Sequence, residues 1–254
     1  MAAPAPEAVA RHPHQAAPQP TGRLRVDLHT HTMWSGDSTT TPDEFAAAID
    51  VSGLDVVCIT DHNAIEGAVE LRDRLACRVI VGEELRTAAG EIIGLFLTQR
   101  VPMGISHVDA AKAIRDQGGV VYIPHPFDPL RRNLAEAALY ELAEADLIDA
   151  VEVLNAKTSL STLNRRAAEF AAEFGIVAGA GSDGHVPDAL GAAFVEMDDF
   201  ATPMEFLASL ANSTGERLQH LPCAIPVYAG IGNTLAVDQG LAGHYVLSAF
   251  DEIT

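Results

Sequence analysis

The sequence predicts an α/β barrel, and three observations favour that fold. Apolar runs alternate with amphipathic segments in a strand, loop, helix rhythm that is typical of parallel sheets with helical crossovers. Polar residues follow nearly every predicted strand, and barrels gather the carboxyl ends of their strands on one face. The length of 254 residues suits one barrel domain. A doubly wound open sheet is the alternative, although its ligands usually collect at one switch point.

The first elements follow an Ala- and Pro-rich leader, residues 1–23, which we expect to be disordered. Residues 24–28 form a short apolar strand. A helix should then begin with Thr41 as its cap, Pro42 in its first position and Glu44 where a capping box needs an acidic side chain.

The remaining elements repeat the same rhythm. Further strands are predicted at residues 54–60, 78–81, 91–97, 120–123, 150–154 and 176–180. Further helices are predicted at residues 64–75, from Ser106 to a stop at Gly118, and at residues 133–144, 161–174 and 204–210. We expect the barrel domain to occupy residues 24–200. Residues 201–254 form a C-terminal segment of unclear role that could complete the barrel.

The charge of the chain limits its partners. A formal net charge of −19 opposes binding of extended nucleic acid, whereas a small anionic substrate fits if bound cations reverse the local field. No apolar stretch has the length of a membrane span, and the N-terminus lacks the apolar middle of a signal peptide. The three cysteines show no paired spacing. We therefore expect a cytoplasmic protein, and the sequence gives no indication of its oligomeric state.

Candidate site residues stand where predicted strands end. His29 and His31 leave the first strand two positions apart, so their imidazoles should point to the same side. Either histidine alone could simply satisfy a loop, and Asp27, Asp61 and Asn63 could brace loops or cap helices. The full set of candidates is His29, His31, Asp37, Asp61, His62, Glu83, Glu84, Glu91, His125, Asp183 and His185. Imidazole and carboxylate donors together suit zinc, manganese or iron. Together they predict a site for divalent metal ions.

The motifs that carry these residues resemble, in order, those of the PHP (polymerase and histidinol phosphatase) superfamily. They read DLHTHTMWSGD, ITDHN, VGEEL, YIPHPFD, VEVLN and GSDGH, and the resemblance covers residues 24–195. It implies a distorted (β/α)₇ TIM-like barrel with the metal site at the carboxyl ends of its strands. It also implies two or three manganese, zinc or iron ions and the hydrolysis of phosphoesters.

The resemblance implies a role for each motif residue. One ion would be held by His29, His31, Glu84 and Asp183. Glu84 would bridge to a second ion shared with His125, and a third would be held by Asp37, His62 and His185. Many relatives have a histidine where this sequence has Glu91; a glutamate can ligate in its place, with consequences for the preferred metal. Glu83 should point the other way from Glu84 and is not expected to be a ligand.

Substrate recognition needs cations besides the metals. Arg131 and Arg132 follow His125 in the same loop, and Lys157 follows the VEVLN strand, so these three are the candidate phosphate-binding residues. Each could instead be a solvated loop charge. Trp34 could cover the site or simply pack within its loop. The remaining histidines match no motif.

The main functional hypothesis is hydrolysis of a small phosphoester, such as a nucleotide or another phosphorylated metabolite. Two ions about 3.5–4 Å apart can grip a phosphoryl group and activate a water molecule. His62, His185 and Asp183 are the candidates for proton transfer to the leaving group. One alternative is a non-catalytic, metal-stabilised binding or scaffold domain. The other is an amidohydrolase-type C–N hydrolase, although Lys112 and Lys157 are not at strand ends suited to a carboxylated lysine.

Overall fold

A computed structural model describes residues 22–213 and 218–220, the last three by their backbone alone. Most of the predicted leader, residues 1–21, lies outside the described residues. So do residues 214–217 and 221–254 of the predicted C-terminal segment. The boundary between barrel and C-terminal segment at residue 200 stays a prediction.

The strands form one sheet that curves into a nearly closed barrel. They are β1 (Leu24–Thr30), β2 (Val56–Ile59), β3 (Arg78–Thr87), β4 (Gly90–Leu95), β5 (Val120–Ile123), β6 (Ala150–Asn155), β7 (Val177–Gly181), β8 (Ala193–Met197) and β9 (Leu218–His220). Their order in the sheet is β7-β6-β5-β4-β3-β2-β1-β8-β9. The backbone then joins the end of β7 to the end of β1. The His31 N–H donates to the Gly184 carbonyl at 3.0 Å, and the Asp183 N–H donates to the His29 carbonyl at 2.8 Å. The predicted α/β barrel is confirmed.

The barrel is distorted because β4 runs against its neighbours. Strands β1 to β3 are parallel, as are β5 to β7, but β4 pairs antiparallel with both β3 and β5. The expectation of a parallel sheet is wrong at this strand. Only Ala88 and Ala89 separate β3 from β4. Two residues can close a hairpin, whereas a parallel crossover needs a dozen or more.

Strand β3 is longer than the sequence predicts, and β8 is a strand that the sequence analysis did not assign. Residues 78–81 were expected to be the whole of β3, with the glutamates after it, but Glu83 and Glu84 lie inside the strand. The hairpin partner β4 extends the ladder as far as Thr87. Strand β8 pairs antiparallel with the first half of β1, from Leu24 opposite Met197. The longer β3 depends on its hairpin with β4, whereas β8 depends on a partner far along the chain.

Six helices cover the described part of the barrel. They are α1 (Pro42–Ser52), α2 (Glu66–Arg72), α3 (His107–Arg115), α4 (Glu136–Glu144), α5 (Ser161–Phe174) and α6 (Pro203–Ser213). Helix α1 has the predicted capping box between Thr41 and Glu44, with Pro42 in the first turn, and buries Phe45 and Ile49 one turn apart. Such a cap contributes about 1 kcal/mol. Within the described ranges, every helix falls short of the length and apolarity that a bilayer crossing requires.

Two helices begin later than predicted because tertiary contacts hold the preceding residues. Helix α2 was expected from residue 64, but Asn63 has a positive φ of 51° and its Oδ1 accepts the Arg86 N–H. Helix α4 was expected from residue 133, but the Ala135 N–H donates to the Ala89 carbonyl in the β3–β4 turn. The chain before each helix is therefore tied to the strand layer.

Candidate metal centre

The end of β1 places two buried imidazoles beside each other. His29 lies in the strand and His31 follows two positions later, so their side chains share one side of the backbone. Their Nε2 atoms are 3.0 Å apart, and both side chains are fully buried. The His31 Nδ1 lies 2.8 Å from the Ser35 hydroxyl, which itself donates to Asp61. Asp61 therefore braces this loop, one of the two roles that the sequence left open for it.

Glu84 stands at the centre of the cluster. Its Oε1 is 3.0 Å from the Nε2 of His125. Its Oε2 is 3.1 Å from the Nδ1 of His62, 3.3 Å from the Nε2 of His31 and 3.4 Å from the Nε2 of His29. Burial alone would raise the pKa of Glu84, but the surrounding histidines hold it well below its ordinary value. A single carboxylate thus contacts imidazoles from three strand ends.

The outer part of the cluster is built around Asp37. This side chain is 57% exposed, and its two oxygens lie 3.3 Å from the Nε2 of His62 and 3.4 Å from the Nε2 of His185. Asp183 lies deeper, with its Oδ1 3.6 Å from the Nε2 of His31. Burial lowers the pKa of His185, but hydrogen bonds to Asp183 and Asp37 outweigh it and raise that pKa to about 9.

Glu91 reaches the cluster from the start of β4, because the hairpin brings that end of the strand beside Glu84. Its Oε1 is 3.9 Å from the Nδ1 of His62. Burial and the charge of Glu84 raise the pKa of Glu91 to about 7. Glu83, the neighbour of Glu84, points away and accepts the Val101 N–H at 2.9 Å. The expectation that Glu83 is no ligand agrees with this direction.

The donor atoms fall into four overlapping groups, each with its atoms within 4.8 Å of one another. The groups are His29, His31 and Asp183; His29, Glu84 and His125; His31, His62 and His185; and His62, Glu84 and Glu91. They differ from the division that the resemblance implies: His31 joins His62 and His185 in place of Asp37, which is in none of the groups, and Glu91 joins His62 and Glu84. All nine predicted metal ligands lie in this one cluster.

The residues present fit divalent metal ions. Three buried atoms of the cluster make no hydrogen bond to the described residues: the Nδ1 atoms of His62 and His125, and the Oε1 of Glu91. Buried polar atoms ordinarily have a partner, and orphaned ones need an explanation. A mixed set of imidazoles and carboxylates is the donor chemistry of zinc, manganese and iron sites. Cations at these positions would also balance the buried carboxylates.

Two cations border the same cluster. The Nη2 of Arg131 and the Nζ of Lys157 each lie 3.5 Å from Asp183, on opposite oxygens. Lys157 is also 3.0 Å from the Nδ1 of His185. Arg132 is exposed, and its carbonyl accepts the Glu91 N–H. Arg131 and Arg132 line a cavity of about 170 Å³ together with seven of the nine cluster residues.

Glu152 is the main residue that the sequence analysis missed. It lies in β6, is fully buried and contacts the Nδ1 of His29 through its Oε1 at 3.1 Å. Its Oε2 accepts the backbone N–H of His125 at 2.6 Å. Burial lowers the pKa of His29, but the charges of Glu152, Glu84 and Asp183 hold it well above its ordinary value. The signal for Glu152 was a lone carboxylate inside the apolar run VEVLN.

Several other candidates take structural positions. Asp27 is buried and accepts N–H groups from His29, Ser182 and Gly191, and burial raises its pKa to about 6. Trp34 is half-buried and packs beside Gly67 of α2, as the loop-packing alternative describes.

Among the described residues, Lys112 and His107 lie apart from the metal ligands, whereas Lys157 contacts Asp183 and His185. Lys112 is exposed on α3, and Lys157 follows β6. His107 contacts Glu141 of α4 at 2.8 Å. His12, His14, His244 and the side chain of His220 lie outside the described residues.

Known proteins share this sequence and fold. A family model described as PHP-associated matches residues 162–214. Uncharacterized protein MJ1587 of Methanocaldococcus jannaschii is 38% identical over 146 residues, which cover 52% of this chain and 82% of that protein. Uncharacterized protein MJ0417 of the same organism is 33% identical over 205 residues, 77% of this chain and 83% of that protein.

Solved structures share the fold at lower sequence identity. A two-domain protein from Bacteroides vulgatus that contains a predicted PHP-like metal-dependent phosphoesterase has a TM-score of 0.61 and 20% identity, covering 81% of this chain and 68% of that chain. An amidohydrolase from Chromobacterium violaceum with bound sulfate and no metal has a TM-score of 0.54 and 17% identity, covering 65% of this chain and 89% of that chain. The barrel, the ordered motifs and these relatives agree, and the chain belongs to the PHP superfamily.

Proposed function

We propose that this protein hydrolyses a small phosphoester with the help of two or three divalent metal ions, which are manganese, zinc or iron. One observation carries the proposal. Seven of the nine imidazole and carboxylate groups line one small cavity with Arg131, and Lys157 lies beside it, 3.5 Å from Asp183. The donors suit divalent ions, and the cations suit the anionic oxygens of a phosphoryl group. The combination is expected of a phosphoryl-transfer site rather than of a structural metal site.

The ions would be held by the nine residues of the cluster, with Glu84 shared between positions. Bound there, divalent ions supply Lewis acidity toward a phosphoryl oxygen and activate a water molecule. Glu84 contributes charge to more than one position because its oxygens face opposite sets of histidines. Asp37 is the most exposed of the nine and closes the outer side of the cluster.

Arg131 and Lys157 would bind the phosphoryl group. Both side chains are partly exposed, at 22% and 35%, and both lie 3.5 Å from Asp183 at the edge of the cluster. A phosphate that enters between them would be held by cations on two sides. Arginine offers a planar fork for two oxygens, whereas lysine acts as a point charge. Local positive charge of this kind allows a protein of net charge −19 to bind a small anion.

We assign proton donation to the leaving alkoxide to His185, in a form of the protein that holds two ions and leaves His185 unligated. Its pKa is raised to about 9, so the imidazole carries a proton at neutral pH in the absence of metal. Its side chain is 14% exposed, which leaves it accessible at the edge of the cavity. His62 is the second candidate, because it shares Asp37 with His185. Asp183 is less suited to this role. Burial alone would raise its pKa, but contacts with positively charged neighbours hold that pKa well below its ordinary value; these neighbours are His29, His185, Lys157 and Arg131.

The size of the cavity favours a small substrate. A volume of about 170 Å³ accommodates a phosphate group and little more, so the rest of the substrate would lie toward solvent. The strong negative charge of the surface opposes a long polyanion. A nucleotide or another phosphorylated metabolite fits both constraints. A cytoplasmic location is part of the proposal, and the thiols of Cys58 and Cys77 suit a reducing compartment.

The test is hydrolysis of a chromogenic phosphomonoester and of a panel of nucleotides and sugar phosphates, with manganese added. The Glu84→Gln variant serves as the inactive control. Turnover by the wild type and not by the variant supports the proposal. Metal binding without turnover on any member of the panel would favour a metal-stabilised scaffold. Hydrolysis of a cyclic amide with none of the phosphoesters would favour C–N hydrolysis.

A further inference from the structure

Glu152 contacts His29 and His125, two predicted ligands that the resemblance to the PHP superfamily assigns to different metal positions. Its Oε1 lies 3.1 Å from the Nδ1 of His29, and its Oε2 accepts the His125 N–H at 2.6 Å. The Asn155 side-chain amide donates to the same Oε2 at 2.9 Å. The carboxylate therefore accepts hydrogen bonds from β1, from the loop after β5 and from its own strand. It belongs to none of the four groups of donor atoms found among the described residues, so it acts through its neighbours.

The first contact fixes which nitrogen of His29 faces the cluster. A carboxylate only accepts hydrogen bonds, so the proton of the imidazole lies on Nδ1. Nε2 then faces Glu84, 3.4 Å away, and Asp183, 3.9 Å away, and in the neutral ring its lone pair is available to a metal ion. A carboxylate behind a histidine orients the ring and raises its basicity as a ligand.

The second contact holds the backbone of His125 in an unusual conformation. His125 has a positive φ of 29°, a region that residues other than glycine rarely adopt. Such conformations persist where the surroundings over-determine them. The short hydrogen bond from its N–H to Glu152 is one such constraint. The conformation presents the imidazole Nε2 of His125 to the Oε1 of Glu84 at 3.0 Å.

The close packing around Gly181 independently supports the contact between Glu152 and His29. A Cβ at position 181 would fall 2.5 Å from the Oε1 of Glu152 and 3.0 Å from the backbone nitrogen of His29. Any side chain there would push the carboxylate or β1 aside. Glycine is needed at this place because of close approach, since its backbone does not lie in the left-handed region.

We propose that Glu152 is a positioning residue that assembles two metal positions at once. It sets the donor nitrogen of His29 and the backbone of His125 through one carboxylate, so that its loss weakens binding of more than one ion. The inference concerns metal binding, and the phosphoesterase activity proposed above is not needed for it to hold.

The experiment measures manganese binding to the full chain after removal of metal by a chelator. In Glu152→Gln, the amide donates where one carboxylate oxygen accepted, so either His29 or His125 loses its partner. We expect binding of at least two ions to weaken by about 10- to 100-fold, the usual cost of losing an outer-shell partner. The matched control is Glu83→Gln, a buried glutamate of β3 that accepts a backbone N–H away from the cluster. Its affinity for manganese should equal that of the wild type.

A second measurement needs no variant at position 152 to fold. Nitrogen-15 spectra of histidine-labelled wild type, loaded with zinc, report which ring nitrogen carries the proton, and His29→Gln assigns the signal. A proton on Nδ1 of His29 supports the proposal, and a proton on Nε2 overturns it. Unchanged manganese affinity in a folded Glu152→Gln protein also overturns it, as does weakening of one ion alone. Loss of phosphoester turnover with normal metal binding would count against this inference as well, leaving the catalytic proposal to its own test.

Discussion

The Oε1 of Glu91 lies 3.9 Å from the Nδ1 of His62, and neither atom has a hydrogen-bond partner among the described residues. The two atoms come from the start of β4 and the loop after β2, and both face Glu84. A cation shared by them would satisfy both. Glu91 supplies an oxygen at this place, and oxygen donors suit manganese better than zinc.

Replacing Glu91 should therefore change which metal is preferred. Glu91→His exchanges an oxygen donor for a nitrogen, and we expect the ratio of bound zinc to bound manganese to rise several-fold. The measurement is elemental analysis after metal-free protein is incubated with both ions in equal amounts. Glu83→Gln is the control and should keep the wild-type ratio. An unchanged ratio in Glu91→His would show that Glu91 is not a ligand.

Variants at Glu84 and at Asp37 should differ in how much metal the protein retains. Glu84→Gln keeps the shape of the side chain but removes the charge that faces four histidines. We expect it to abolish activity and to lower the content of more than one ion. Asp37→Asn should lose at most the outer ion, because Asp37 contacts only His62 and His185. Metal analysis and turnover of both variants decide the matter; full metal content in Glu84→Gln would contradict the shared position.

Metal removal should destabilise the barrel, because the proposed ligands come from strands spread along the chain. An ion present at 100 times its Kd adds about 2.7 kcal/mol to the stability of the folded state. For a domain of this size that corresponds to roughly 5–10 °C in Tm for each ion. We expect chelation to lower Tm by at least this amount and manganese to restore it. A thermal melt that is insensitive to chelator would contradict ligands drawn from several strands.

The metal-free protein should lose stability as the pH rises from about 6.5 to 9. The folded-state pKa of His185 is about 9, above its ordinary value of 6.5. The stabilisation is therefore fully present below pH 6.5 and is lost as the pH rises through 9. Melting curves of metal-free protein across this window should show the fall, and His185→Gln should make it shallower. Saturating metal should also flatten it, since cations replace the protons. A metal-free Tm that is constant across the window would refute the assignment.

Arg131 and Lys157 should affect substrate binding more than metal binding. Arg131→Ala or Lys157→Ala removes one cation beside Asp183, and a hydrogen bond to a charged group is worth about 1.5–3 kcal/mol. We expect KM for a phosphomonoester to rise about tenfold or more, with metal content unchanged. Arg165→Ala, which removes an exposed charge from α5, is the control for net charge. An equal rise of KM in all three variants would indicate only long-range electrostatics.

The elements that the sequence predicted best are those fixed by local signals. Helix α5 was predicted at residues 161–174 and strand β5 at residues 120–123, and both occur at those bounds. The direction of β4 was missed because β3 was predicted to end at residue 81, which hid the two-residue turn, and the existence of β8 depends on β1, far along the chain. Local periodicity carries no information about such partners.

The same distinction applies to the candidate site. The ligand motifs stand out because several polar groups follow strands in one chain. Glu152 is 123 positions from His29 and belongs to no cluster of polar residues in the sequence. A lone carboxylate in an apolar strand is visible, but its partner becomes known only when β6 and β1 are placed around the barrel. Glu91 was found as a candidate, although its approach to His62 required the antiparallel hairpin.

The two-residue turn between β3 and β4 has a consequence for how sequences of this kind can diverge. Arg86 pairs directly with Glu91 across the hairpin, so Glu91 lies on the same face as Glu84. A single inserted or deleted residue in the turn would move Glu91 to the opposite face. Changes of length should therefore be rejected at Ala88 and Ala89. The hairpin should vary only as one unit, and new substrates would be acquired by altering loops farther from the metal ligands.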